Sequence, residues 1–168
     1  MLIISRLEVS SREHIAYAEQ NPLIMTGTVR SNILFGSAFD PRYYEKVVAA
    51  CALKDDFKQL PNGDNTKLGE MGTQLSGGQK SRISLARALY RKEAKIILID
   101  GSLSALDARV ARHILDNAIR GDLCSDKIVL MVTYDLDQAA EMDYVLLVKE
   151  GLVSVQRSAE FFGNQQAL

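Results

Sequence analysis

Cysteine is scarce in this chain, long apolar runs are missing, and neither sign of charge dominates. The 168 residues hold two cysteines, Cys51 and Cys124, in helix-like or loop-like contexts without metal-ligand spacing. That excludes a disulfide framework and reads as reduced thiols of a cytosolic protein. Twenty basic residues against 21 acidic ones give a net charge of −1, so no bulk field draws the chain to nucleic acid or anionic lipid. The longest apolar runs, such as Ile128 to Val132 and Val145 to Val148, are far too short to span a bilayer. The apolar start Met1-Leu2-Ile3-Ile4 meets charge at once in Arg6 and Glu8, so no cleavable leader is visible. Only two histidines occur, His14 and His113, and neither stands near a motif; both read as surface or core filler. There is no internal repeat and no low-complexity segment. A single soluble domain with one sizeable core is expected, reaching a membrane only through partners.

What is present is organised around Leu75-Ser76-Gly77-Gly78-Gln79 and the helical stretch that follows it without a break. Ser76 with Gln79 three residues on makes a capping box. Ile83, Ala86 and Leu89 or Tyr90 then recur at helical spacing. Gly77 and Gly78 remove every Cβ from the mouth of the helix, so a ligand can touch backbone N–H groups there. Such an N-terminus suits phosphate oxygens. By itself the pentapeptide fits an ordinary capped helix after a glycine turn equally well.

Around it the chain alternates short strands with helices. His14 to Ala18 reads as a strand leading to Gln20, and Asn21 to Gly36 is loop-rich, with Pro22 and Gly27 as punctuation. Leu23, Ile24 and Met25 would suit an exposed docking surface, or packing in the core. Asp40-Pro41 starts a helix whose Tyr44, Val47, Val48 and Cys51 share one face. Lys54 to Leu60 gives another helix, and Pro61-Asn62-Gly63-Asp64 a turn. Lys95 to Asp100 is an aliphatic run ending in a carboxylate, the pattern of a strand buried on both faces. Its C-terminal end is where open α/β sheets place ligands. Asp107 caps a helix to about Arg120, and Lys127 to Thr133 reads as a second buried strand. After a short helix over Asp137 to Met142, Tyr144 to Lys149 and Leu152 to Gln156 read as strands turning at Glu150-Gly151. Residues 161–168 read as a loosely held tail.

Four of these motifs stand in the order of ATP-binding cassette (ABC) proteins. Leu75 to Gln79 resembles the LSGGQ signature, Tyr17-Ala18-Glu19-Gln20-Asn21-Pro22 the Q-loop, Ile96 to Asp100 the Walker B strand, and Ser104-Ala105-Leu106-Asp107 the D-loop. The NPLIMTGTVRSNILFG segment is similar to first cassettes of the C subfamily, the multidrug-resistance-associated and cystic-fibrosis-conductance type. The resemblance implies a P-loop NTPase α/β fold with a parallel sheet. It implies a helical subdomain over about 20–90, an α/β core over 1–19 and 91–160, and a chain that begins just after the phosphate loop, within the helix whose tail would be Met1 to Leu7. It implies ATP and magnesium as ligands. Leu75, Ser76, Gly77, Gly78, Gln79, Gln20 and Asp107 would contact nucleotide, and Asp100 with Gln20 would hold magnesium. It further implies a second nucleotide-binding domain and transmembrane domains as partners, at the cytosolic face of a membrane, and no nucleic acid.

Three departures qualify that picture. No G-x-x-x-x-G-K-[ST] occurs, so the loop that cradles the α- and β-phosphates is not in this sequence. Gly101 stands where active cassettes carry a glutamate base, and Ser102 where they carry proline. Tyr134 stands where they carry a histidine, and a phenol brings no positive charge at neutral pH. Three functional readings follow: a degenerate nucleotide-binding domain that completes a partner's site, a fragment of an active ATPase from a cut reading frame, and an interaction remnant with no nucleotide contact. The expected outcome for the chain alone is no measurable ATP turnover. Magnesium-dependent hydrolysis that disappears in Asp100→Ala would contradict it.

Overall fold

The computed structural model describes residues 15–165. The expected helix tail from Met1 to Leu7, His14 and residues 166–168 lie outside the described residues. Contacts divide the described chain into two compact units, 15–131 and 132–165. The stretch 20–90 lies wholly within the first.

In the first unit the sheet is built from β1 (Ile15–Ala18), β4 (Ile96–Asp100) and β5 (Ile128–Val132), with β4 in the middle. β1 runs parallel to β4 in the register Tyr17↔Leu98 and Ala18↔Ile99. A small antiparallel pair, β2 (Gly27–Thr28) with β3 (Lys67–Leu68), stands apart from it. The helices are α1 (Val29–Leu34), α2 (Pro41–Ala50), α3 (Lys54–Gln59), α4 (Gly77–Tyr90) and α5 (Ala108–Ile114), the last continuing as a π turn over Leu115–Ile119. In the second unit α6 (Leu136–Ala140) precedes the hairpin of β6 (Tyr144–Lys149) and β7 (Leu152–Arg157), then α7 (Ser158–Gln165). Glu150 and Gly151 both take positive φ, as a two-residue hairpin turn requires.

Local chemistry explains the helices. Asp40 caps α2 by accepting from Arg42 and Tyr43 N–H groups, with Pro41 as first helical residue, and Tyr44, Val47, Val48 and Cys51 are buried as the spacing predicts. α4 packs against α1, α2 and β1. Its Ile83, Leu85, Ala86 and Leu89 are core residues, so truncating one of the leucines to alanine costs about 2–5 kcal/mol.

Four expectations need correction. The segment 21–36 contains α1, which Thr28 caps in a reciprocal box with Ser31. A serine at that place gives a weaker sequence signal than the usual Glu or Gln. Of the two readings open for residues 23–25, Ile24 takes the core one, whereas Leu23 and Met25 are exposed. The strand expected to be buried over Lys127 to Thr133 is the outer one among the described strands of its sheet, with Ile128 68% exposed. β4 hides Ile97 and Ile99 fully but the alternate residues only partly, so one face is more covered than the other. The supposed tail is helical as far as Gln165.

A buried cation, Arg87, 9% exposed, stands near the end of α4. Its Nε donates to Asn32 O at 2.9 Å, and its Nη2 donates to Leu23 O at 2.7 Å and Asn32 Oδ1 at 3.0 Å. Arg87→Met keeps the stem but strands the carbonyls of Asn32 and Leu23 and takes one of two donors from Asn32 Oδ1. The expected loss is about 3 kcal/mol in equilibrium urea unfolding, against almost nothing for the exposed Lys58→Met. A loss below ~0.5 kcal/mol, the level of an ordinary surface change, would contradict this account.

Candidate functional site

The end of β4 and the N-terminus of α4 frame the site. Asp100 closes β4, half-buried, and Tyr17 on the neighbouring strand donates its hydroxyl to Asp100 Oδ2 at 3.2 Å. The parallel register explains the meeting: Tyr17 pairs with Leu98, so Tyr17 and Asp100 project from the same face of the sheet. Partial burial, then the Asp100 charge and the hydrogen bond, then Glu19, raise the Tyr17 pKa above its ordinary value, so the phenol remains a donor. Gln20 follows β1 and lies beside Gly101: a Cβ placed at 101 would rest 3.6 Å from Gln20 Cγ and 3.7 Å from its Nε2. The structure therefore brings Asp100, Gly101, Gln20 and Tyr17 together.

At the other end of the unit's motif set, Ser76 caps α4 as expected. Ser76 Oγ accepts from Gln79 N at 3.2 Å, and Gln79 Oε1 accepts from Ser76 N at 2.9 Å. The far end of the Gln79 amide donates to Asp56 Oδ1 at 3.1 Å, and Arg82 pairs with the same carboxylate. Gln79 is thus engaged at both ends of its side chain. Leu75 is buried beneath the loop, while Ser76 and Gly77 are exposed. A Cβ at Gly77 would meet nothing within 4 Å, but one at Gly78 would lie 3.3 Å from Leu106 Cδ2. Gly78 lies close to Leu106 of the loop that leads to Asp107, and Gly77 leaves open space. Asp107 itself caps α5, accepting from Val110 N at 3.0 Å.

The loop between Asp100 and Asp107 joins these two places. Gly101 sits at φ +59 and its carbonyl accepts from Ser104 twice, from N at 3.1 Å and from Oγ at 2.6 Å. Ser102 is buried, and its hydroxyl reaches the carbonyls of Ala18 and Glu19. Tyr134 belongs to the second unit, where it is 79% exposed just before the cap of α6. His113 is spent structurally: its Nε2 lies 2.9 Å from Ala49 O.

Sequence reasoning assigns no role to Tyr17, Glu19, Ser104 or Arg87. The parity of Tyr17 with Asp100 across the strand register is a usable signal once the pairing is known. The Arg87 and Ser102 contacts join residues more than fifty positions apart and leave no local trace.

These groups bear on magnesium and ATP in distinct ways. Among the described residues no three His, Cys, Asp or Glu side chains gather to hold a metal unaided. One carboxylate with one amide beside it suits a cation that takes its other oxygens from phosphate and water, as magnesium does. The open, capped N-terminus of the 14-residue α4 suits a phosphate. The α4 N-terminus fits a phosphate and the Asp100–Gln20 pair fits a cation.

A family model described as ABC transporter matches residues 5–104. The chain is 46% identical over 143 residues to ATP-binding cassette sub-family C member 4 of Homo sapiens, which covers 85% of this chain and 11% of that protein. It is 48% identical over 139 residues to the probable multidrug resistance-associated protein lethal(2)03659 of Drosophila melanogaster, covering 83% of the chain and 10% of that protein. It is 42% identical over 164 residues to the multidrug resistance protein mrp-7 of Caenorhabditis elegans, covering 97% of the chain and 11% of that protein. The chain thus spans about a tenth of the length of these curated relatives.

Gly101 and Gly77 are expected to respond differently to a methyl group. Gly101→Ala forces an L residue to positive φ at a cost of about 1–2 kcal/mol, a fall in Tm of at least about 2–4 °C. Gly77→Ala meets open space and should leave Tm unchanged or slightly raised. Equal thermal shifts for the two would show that the 101 backbone is not left-handed.

Proposed function

Because this chain belongs to the ABC transporter family, we propose that it is a degenerate nucleotide-binding domain whose principal contribution is its signature loop, supplied to an ATP site on a partner cassette. The observation that carries this reading is the contrast between its two glycine positions. At Gly77 a capped helix N-terminus is held rigidly and left sterically open. At Gly101, beside the cation-facing carboxylate, there is no side chain to act as a base. A positioned general base contributes about 10²–10⁴-fold, so a site without one binds far better than it hydrolyses.

In this reading Ser76 and Gly77 face the γ-phosphate bound by the partner, with Gly78 keeping the helix against the loop before Asp107. Leu75 anchors the loop from below and Gln79 holds the cap closed. Asp100 and Gln20 would hold magnesium, which neutralises phosphate charge when bound. That requires a phosphate-cradling loop supplied from outside this sequence. In the sequence, Tyr134 stands where active cassettes carry a histidine, so the second unit offers no cationic group at that position. Residues 20–90 act as the helical subdomain, and exposed Leu23 and Met25 form part of the surface on which transmembrane domains dock. No helix among the described residues is long and apolar enough to cross a membrane. The proposed location is the cytosolic face of one, reached through those domains.

Gly77→Asp tests the reading in the assembled two-cassette protein. The fold should survive, because the position is open and an acidic residue in the first helical turn complements the helix dipole. The new carboxylate opposes a docked phosphate. Two like charges about 4 Å apart near a protein surface repel by up to ~4 kcal/mol. ATP turnover by the partner cassette should therefore fall at least about tenfold. Unchanged turnover with Tm preserved would overturn the assignment of this loop to the partner's site.

A further inference from the structure

Ser102 takes no part in the cation and phosphate chemistry above, yet its side chain is buried. Its hydroxyl points at the junction between β1 and the loop carrying Gln20, with Ala18 O at 3.3 Å and Glu19 O at 3.4 Å. One proton is shared between two acceptors. Ala18 is already fixed by its place opposite Ile99, so Glu19 is the residue whose position the hydroxyl adds. Glu19 in turn accepts Leu23 N through its Oε1 at 2.7 Å, closing a turn around Gln20. Beyond the turn, Leu23 O is taken by Arg87. On the facing loop, both bonds from Ser104 to the Gly101 carbonyl hold the left-handed backbone there. The outcome is that Gln20 Cγ, Nε2 and Cδ all lie within 3.8 Å of where a side chain at 101 would begin.

We propose that Ser102 is a positioning residue for Gln20: its buried hydroxyl sets the turn that lays the glutamine side chain over Gly101, in the space a longer residue at 101 would need. The missing base is then a matter of geometry as well as composition. Glycine supplies the backbone angle, serine holds the neighbouring loop, and glutamine fills the room. A residue at 102 without a side-chain donor would release Glu19 and let Gln20 swing away. Gln20, exposed but lying over Gly101, would then lose the placement from which it would reach a cation.

This inference rests on the reading of Gln20 and Asp100 as the cation-facing pair, but its test needs neither nucleotide nor partner, so the two can fail separately. The observable is the side-chain amide of Gln20 in the full 168-residue chain, assigned by its disappearance in Gln20→Glu. In the wild type it should show a nuclear Overhauser effect to the Gly101 α-protons and a rigid side chain. Ser102→Ala should abolish that effect and drop the amide order parameter below ~0.6, the range of flexible groups. Ser102→Thr, which keeps the hydroxyl, should restore both. If the alanine variant does not fold, Ser102→Cys preserves the volume with a weaker donor and should show the same loss in lesser degree. Absence of the effect in the wild type, or undiminished intensity in the alanine or cysteine variant, overturns the proposal.

Discussion

A buried guanidinium, Arg87, with no carboxylate partner among the described residues, ties the first unit together. Removing Arg87 from water is costly, and burial pulls its pKa down while only the more distant Glu19 charge pushes the other way. The cost is offset by donating to the carbonyls of Leu23 and Asn32 and to the Asn32 amide oxygen, and by the Phe35 ring 4.9 Å from the guanidinium carbon. Asn32, 2% exposed, is itself saturated: its Nδ2 donates to Met25 O and Thr28 O, and its Oδ1 accepts from Met25 N. Because these bonds use the backbone of residues 23 and 25, the side chains of Leu23 and Met25 are left outside while Ile24 goes inward. One cation thus decides which residues of an apolar run become surface. It also ties that run to the same helix whose other end carries Ser76 and Gly77.

Rigid presentation at that other end has a similar origin. The Ser76–Gln79 box would be worth about 1 kcal/mol alone. Here Gln79 is also bonded to Asp56, which Arg82 holds in a pair whose side chains are both 13% exposed. A partly buried pair of this kind adds little net stability but penalises alternatives in which either charge is left unpaired. The first turn of α4 is therefore clamped to α3, and Gly78 is pressed against Leu106. Only Ser76 and Gly77 stay exposed, a small target shaped by its surroundings.

Much of this architecture is legible in the order of the residues. α2 and α4 announce themselves by cap and spacing, β4 by its aliphatic run and terminal carboxylate, and the hairpin by Glu150-Gly151. What escapes does so for definable reasons. α1 is only six residues long, with a Thr–Ser box in place of the commoner partner, so neither length nor cap advertises it. β5 has the composition of a buried strand, but burial depends on neighbours, and the sheet order puts it at the edge of the described strands. Ile24 cannot be told from Leu23 and Met25, because three consecutive apolar residues carry no period. The site splits along the same line. Its helix mouth is local and readable, whereas the bonds of Arg87 and Ser102 are not.

The two glycines 77 and 101 show why composition alone under-determines a site. Each lacks a Cβ, and composition alone does not tell the two apart. At 77 the absence creates room, because nothing stands within 4 Å. At 101 it permits a backbone angle, φ +59, that an L residue reaches only with strain. The carbonyl so oriented accepts both donors of Ser104, which sets the start of the loop toward Asp107. Leu106 of that loop is the side chain that Gly78 packs against. The carboxylate end of β4 and the mouth of α4 are therefore connected through one short loop whose first residue holds its present shape with least strain as glycine. A side chain at 101 would act on both ends of that loop, so the residue at 101 and the placement of the α4 N-terminus are not independent features of this chain.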